Sequence, residues 1–211
     1  MIAIIDYDAG NLTSVARAVR HLGYECQVTR ELVAINRADR VIFPGVGAAG
    51  SAMESLRKFG LDKAVRDAVA SGRPVLGICL GTQVIMTHSR ENDARCLDLV
   101  RGEVISFPDN MRDDSGARLK VPQMGWNNVE LTPAGAAHPV LADVLPEHQF
   151  YFVHSYYPNP EDQSQVLGRT EYGVTFASVI GRDNLVATQF HPEKSGEPGL
   201  AILKNFCDWL P

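Results

Sequence analysis

The chain has 211 residues, 45% of them hydrophobic and 21% charged, with 18 glycines and 12 prolines. A chain of this length buries a substantial core, and its balance excludes a disordered, collagen-like or low-complexity protein. A formal net charge of −5 argues against non-specific nucleic-acid binding, which takes a basic face.

The N-terminal half alternates between two periodicities. Residues 2–6 form a short apolar run ended by Gly10-Asn11, which reads as a buried strand. Residues 12–22 place Leu12, Val15, Ala16, Val19 and Leu22 at helical spacing, and Gly23 follows as a C-terminal cap. Residues 25–28 and 40–43 read as strands, the latter stopped by Pro44-Gly45. Residues 48–71 read as helix, broken at Gly60. Gly72 and Pro74 open a strand over 75–78, and a helix is expected from Leu80 to about His88. No basic signal-peptide segment opens the chain. Its longest apolar runs are strand-sized, far short of a span of about 20 residues, so a cytoplasmic location is expected.

The second half is richer in strands, expected at 103–107, 128–131, 149–153, 166–172, 174–180 and 185–190, with Gly173 marking a tight connection. Residues 107–120, including Asp113-Asp114-Ser115-Gly116, read as an exposed loop. A closing helix over 198–210 turns Leu200, Leu203, Phe206, Cys207 and Leu210 inward. The expected architecture is α/β: one three-layer domain over residues 1–211. Its mostly parallel central sheet is flanked by helices and carries an antiparallel β extension. In such sheets, sites lie beyond the carboxyl ends of the strands. Gly10-Asn11, Pro44-Gly45-Val46-Gly47 and Cys79 all fall there.

The four cysteines, Cys26, Cys79, Cys96 and Cys207, form no C-x-x-C pair and are expected to stay reduced, with no metal site. Cys26 and Cys207 read as small core residues and Cys96 as a loop residue. Cys79 lies in Gly77-Ile78-Cys79-Leu80-Gly81-Thr82-Gln83, a G-x-C-x-G pattern between a strand and a helix. This is the cysteine form of a nucleophile elbow. The glycines leave room for the sharp turn. The helix start favours a thiolate, and the Leu80 N–H is placed to donate to an oxyanion. The plain alternative is a buried cysteine in a tight turn. Pro44-Gly45-Val46-Gly47 offers a second set of backbone donors at Val46 and Gly47, or an ordinary turn. It lacks the G-K-[ST] of a phosphate loop.

A thiol nucleophile needs a base, and the base an orienting group. Among six histidines, His21 and His88 read as helix-end residues, and His138 and His148 as loop or surface residues. His191, in Phe190-His191-Pro192-Glu193, has Glu193 two positions on. Extended backbone held by the proline places both side chains on one face. A solvated His-Pro turn is the rival reading. His154 follows an apolar strand without a nearby carboxylate and reads as a structural or substrate-wall residue.

Gly77-Ile78-Cys79-Leu80-Gly81-Thr82-Gln83 together with Phe190-His191-Pro192-Glu193 resembles the class I, or triad, glutamine amidotransferase family. Within it, Asp6-Tyr7 with Gly10-Asn11-Leu12, Pro44-Gly45-Val46-Gly47, Pro122-Gln123-Met124-Gly125-Trp126-Asn127, Val153-His154-Ser155-Tyr156 and His191-Pro192-Glu193-Lys194-Ser195 resemble one branch. Members of that branch supply ammonia to a (β/α)8-barrel cyclase subunit in histidine biosynthesis. The resemblance implies that Cys79 attacks the amide carbon of glutamine, with His191 as proton carrier and Glu193 holding its ring. It implies that Leu80, Val46 and Gly47 form the oxyanion hole, and that Gln83, Ser155 and Tyr156 hold the substrate. It implies heterodimer formation with the cyclase, with Asn11, Trp126 and Lys194 facing it. Each of those three has a bland reading as well: a helix cap, a core residue and a solvated lysine. No cofactor is implied. Asp8, Ala49 and Thr82 depart from the family pattern without removing a catalytic group. The rivals are the same chemistry with another acceptor, a non-catalytic binding subunit, and a free-standing hydrolase. The chain offers no further domain for an acceptor, so a partner chain is expected.

Overall fold

The computed structural model describes residues 1–8, 10–113 and 115–211. Asp114, part of the expected exposed loop, lies outside the described residues. In chain order the first half runs β1 (Ile2–Ile5), α1 (Leu12–His21), β2 (Cys26–Thr29), α2 (Leu32–Arg37), β3 (Arg40–Gly45), α3 (Ala49–Lys58), α4 (Leu61–Ala70), β4 (Val75–Cys79) and α5 (Leu80–Val84). The second half runs β5 (Met86–Ser89), β6 (Ala94–Arg95), β7 (Val100–Ser106), β8 (Gln123–Asn128), β9 (Glu130–Leu131), α6 (Pro133–Ala136), β10 (Gln149–His154), β11 (Tyr156–Pro160), β12 (Val166–Glu171), β13 (Thr175–Arg182), β14 (Leu185–Thr188) and α7 (Gly196–Asp208).

An eight-stranded sheet, β2-β1-β3-β4-β14-β13-β12-β9, forms the middle layer. Its first five strands pair in parallel and the remainder antiparallel, so the sheet is mixed. β1 and β4 are buried at every residue, as parallel strands covered on both faces must be. One face packs on α2, α3, α4 and α5. The other packs on α1, α7 and the aromatic residues Phe150 and Phe152 of β10. A β8–β10 ribbon and a four-stranded sheet, β11-β7-β5-β6, form the extension.

Several local expectations are corrected. β3 does not stop at Pro44 but runs to Gly45, pairing with β4. β1 releases this edge after Ile42, so the missing N–H of Pro44 leaves no ladder bond unmade. The helix after Cys79 ends at Val84, and Met86–Ser89 is a strand between β6 and β7. His88 therefore sits on a strand, with Nε2 2.8 Å from Asp93. The strand expected at 128–131 is divided between β8 and β9, and β11 was not anticipated. Leu210 is 85% exposed rather than inward; Ile202 and Trp209 are buried in its place. Cys96 lies in a loop but is buried, and Cys26 is only half-buried. All four cysteines are free. No helix among the described residues is long and apolar enough to cross a membrane.

Candidate active site

Parallel pairing brings the carboxyl ends of β1, β3, β4 and β14 to one edge. Gly45 pairs with Cys79, and Thr188 with Ile78. Cys79 therefore lies between the Pro44–Gly47 turn and the segment that leads to His191. Its backbone is at φ 53°, ψ −105°, a region a non-glycine residue enters only when its surroundings hold it there. The neighbouring glycines show why. A Cβ on Gly81 would meet the Phe43 carbonyl oxygen at 1.8 Å, and one on Gly77 would meet the Ala187 Cβ at 2.9 Å. Cys79 caps α5, which has only five residues, so this helix offers first-turn N–H groups rather than a long helix dipole.

His191 itself is on extended backbone, at φ −101° and ψ 94°, but Glu193 is not. Pro192–Lys194 is a 3-10 turn, and that turn brings His191 Nδ1 to 2.9 Å from Glu193 Oε1. Both side chains are buried. The histidine is pinned from behind: its N–H donates to the Tyr151 carbonyl, and the Ser195 hydroxyl donates to its own carbonyl at 2.6 Å. Asn11 Nδ2 also donates to Glu193 Oε1. Asn11 is thus no side-chain cap for α1; it lies in the left-handed region with φ 71° and reaches the carboxylate instead.

The two candidate histidines are pushed in opposite directions. Burial lowers the His191 pKa, but the nearby Cys79 sulfur and the hydrogen-bonded Glu193 carboxylate outweigh it and raise the ring to about 9. Burial, reinforced by the neighbouring His191 charge, takes His154 down to about 4 despite its bond to the Tyr156 carbonyl. At neutral pH one ring is charged and the other neutral. The Tyr156 carbonyl can only accept, so His154 Nδ1, 2.9 Å away, carries the proton. His154 Nε2 is then an acceptor; the Gln123 amide, whose Oε1 is placed 3.0 Å away, satisfies it only when flipped to present its NH2 group.

A cavity of about 330 Å³ opens over Cys79, lined among others by Val46, Gly47, Leu80, Gln83, Ser155 and Tyr156. That volume suits a small polar metabolite. Glu91, which the sequence did not single out, lines the same cavity. Its Oε2 accepts the Ala49 N–H at the start of α3 at 2.8 Å. No spacing pattern marks it, because a 3-10 turn at Glu91–Asp93 carries it back to a helix 42 residues earlier. Thr82, one of the departures, donates to the Thr188 carbonyl at 2.6 Å and ties the elbow to β14. Tyr7 lies under the turn, with its hydroxyl where a Gly45 Cβ would stand. His191 itself is 1% exposed, and its Nε2 is buried without a hydrogen-bond partner.

Trp126 is not a core residue. It is 54% exposed and meets Tyr151 edge-on at 5.9 Å, while Lys194 Nζ stands 5.8 Å from the same Tyr151 ring. Met124, Val121 and Val46 add exposed apolar area. Among the described residues no cluster of His, Cys, Asp and Glu has the arrangement to hold a metal.

The Glutamine amidotransferase class-I family matches residues 3–209 of this chain. The imidazole glycerol phosphate synthase subunit HisH of Desulfovibrio desulfuricans is 51% identical over 99% of this chain and 94% of its own length. The subunit of the same name from Maridesulfovibrio salexigens is 47% identical, over 99% and 97%. A crystal structure of a glutamine amidotransferase superposes with a TM-score of 0.73 at 17% identity, covering 98% of this chain and all of the other, and it shares the fold. A near-complete family match and half-identity along the full length place the chain: it belongs to the class-I glutamine amidotransferase family.

Proposed function

We propose that the chain is the glutaminase subunit of an imidazole glycerol phosphate synthase. Its 211 residues act as one amidotransferase domain, working in the cytoplasm in histidine biosynthesis. It hydrolyses glutamine to glutamate and ammonia and passes the ammonia to a (β/α)8-barrel cyclase subunit. The observation that carries the reading is a cysteine in a forced backbone conformation, on the wall of a metabolite-sized cavity. A buried histidine–carboxylate pair that the cysteine influences accompanies it.

The chemistry follows from these groups. The Cys79 thiolate attacks the side-chain amide carbon, and the charge that develops on the amide oxygen meets the N–H of Leu80 and the Val46–Gly47 region. His191, protonated at neutral pH, gives its proton to the departing ammonia. Once the sulfur is in a thioester, it no longer supports the charge on the ring. One of the two influences that raise His191 is gone, and the ring becomes a base able to activate water. Glu193 holds the ring through Nδ1 in both steps. Hydrolysis then expels the thiolate and releases glutamate.

Recognition of the amino-acid end also follows from hydrogen-bond arithmetic. Gln83 Nε2 donates to the Tyr156 carbonyl at 2.8 Å and to Gln189 Oε1 at 3.1 Å, so only its oxygen remains for a ligand. That oxygen and the Glu91 carboxylate suit an ammonium group, and Ser155 and Tyr156 complete the wall. Asn11, Trp126 and Lys194 face the cyclase. The names of the half-identical relatives support this assignment of pathway and partner.

The test measures glutamate release by the chain alone, and then with the barrel cyclase and its phosphoribosyl formimino carboxamide ribonucleotide. Strong activation on mixing is expected. Cys79→Ala should abolish glutamate release while the complex still makes product from added ammonia. Wild-type glutamine hydrolysis by that variant removes Cys79 as nucleophile. Equal high activity without the cyclase makes the chain a free-standing hydrolase.

A further inference from the structure

Gln189 is a polar side chain with no exposed surface, placed between the end of β14 and His191. Its Nε2 lies 3.8 Å from Cys79 Sγ, and its Oε1 accepts from Gln83 Nε2 at 3.1 Å. We propose that Gln189 has two functions at this site: its amide N–H holds the Cys79 thiolate, and its amide oxygen orients Gln83 toward the substrate's ammonium group. This rests on Cys79 being the nucleophile.

The polarity of the relay is fixed by a group that cannot flip. The Tyr156 carbonyl is an obligate acceptor, so the Gln83 end facing it at 2.8 Å is the NH2 group. The same NH2 group faces Gln189, so the Gln189 atom facing it is the oxygen. The Gln189 NH2 group is then the end turned to the sulfur. A backbone carbonyl two residues beyond His154 thus dictates, through two side chains, that the nucleophile meets a donor.

That donor matters because the carbonyl that faces the same sulfur has the wrong sign. The Val153 carbonyl oxygen is 3.9 Å from Sγ. It accepts from a thiol S–H but repels a thiolate. Gln189 offsets it with an uncharged donor in a buried setting, where such bonds to an ionised atom are strong. It also makes substrate recognition and nucleophile activation share one line of hydrogen bonds. A ligand that pulls on the Gln83 oxygen polarises the line toward the sulfur.

Two variants separate the two functions. Gln189→Met keeps the length and loses both bonds. Gln189→Glu keeps an acceptor for Gln83 and loses the donor to sulfur. The experiment alkylates the full chain with iodoacetamide at neutral pH and measures the rate at Cys79 by peptide mass spectrometry. It then measures the glutamine concentration that halves this rate. Near-UV circular dichroism checks the fold.

For Gln189→Met, the Cys79 rate should fall about ten-fold, the scale of one hydrogen bond to a charged atom. The half-protecting glutamine concentration should rise by at least about five-fold. For Gln189→Glu, the rate should fall at least as far while the half-protecting concentration stays within about two-fold. A folded variant of either kind that alkylates at the parental rate overturns the thiolate function. Unchanged protection in folded Gln189→Met overturns the orienting function. Wild-type alkylation that glutamine does not slow, or that misses Cys79, refutes the underlying site instead.

Discussion

Gly81→Ala probes the joint between α5 and β3, on which both proposed sources of oxyanion donors depend. The added methyl would stand 1.8 Å from the Phe43 carbonyl oxygen and 3.0 Å from its carbon, both backbone atoms. An ordinary C···O approach is about 3.3 Å, so helix and strand must part by about 1.5 Å. Overpacking of this kind costs up to about 3 kcal/mol. In a chain of this size that lowers Tm by about 6–12 °C. The displaced atoms carry the Leu80 N–H on one side and the Val46–Gly47 peptide on the other. A misplacement of about 1 Å costs about a hundred-fold in rate, so glutamate release by the complex should fall by at least that much. Thermal melting and the release assay are run beside Gly72→Ala. There the backbone is left-handed at φ 78° but no atom lies within 4 Å, and the site is remote. The control should lose about 2–8 °C through backbone strain alone and keep its activity. Parental Tm and parental activity in Gly81→Ala would refute the close approach and the argument built on it.

Three further outcomes are expected. Glu91→Gln keeps an acceptor for Ala49 but loses the charge facing the cavity; KM for glutamine should rise at least about ten-fold with Tm little changed, and an unchanged KM leaves Glu91 as a helix cap only. Thr82→Val removes the buried hydroxyl bond to the Thr188 carbonyl and should cost about 1 kcal/mol in denaturant unfolding, whereas parental stability removes the tie between elbow and β14. His191→Gln tests the raised ring. A folded-state pKa of about 9 against 6.5 contributes stability that is full below pH 6.5 and lost as pH rises toward 9, on the order of 3 kcal/mol. The stability gap between parent and variant should therefore narrow over that interval, and a gap independent of pH contradicts the assignment.

The parallel half of the sheet was readable because its signals are local: continuous apolar runs, helical spacing and glycines at the ends. The break at Gly60 is of this kind, with φ 69° where two helices meet. The misread elements are those where tertiary contacts overrule local pattern. Residues 80–84 are buried throughout, so nothing in the sequence marks the end of α5 before Thr87. β11 carries Pro158 and Pro160, which argue against a strand, yet it lies at a sheet edge where a missing N–H is tolerated. β8 alternates Gln123, Gly125 and Asn127 with Met124 and Trp126, a pattern hidden by the polar character of its inward residues. At the site, Cys79, His191 and Glu193 stood out because unusual residues sat at fixed offsets from glycine and proline. Glu91 and Gln189 did not. Their positions depend on distant segments, and a lone Glu in a turn or a Gln after a strand carries no spacing signal.

The two oppositely perturbed histidines give the chain a pH tolerance of its own. His154, held at about 4 against 6.5 in the unfolded chain, stabilises the fold fully above pH 6.5 and ceases to do so as pH falls toward 4. His191 acts as its mirror image on the alkaline side. Each limb is worth about 3 kcal/mol. The combined contribution of these two rings is greatest near pH 6.5. The pH at which the His191 ring is charged and the His154 ring is neutral is also the pH at which these two residues add most to the fold.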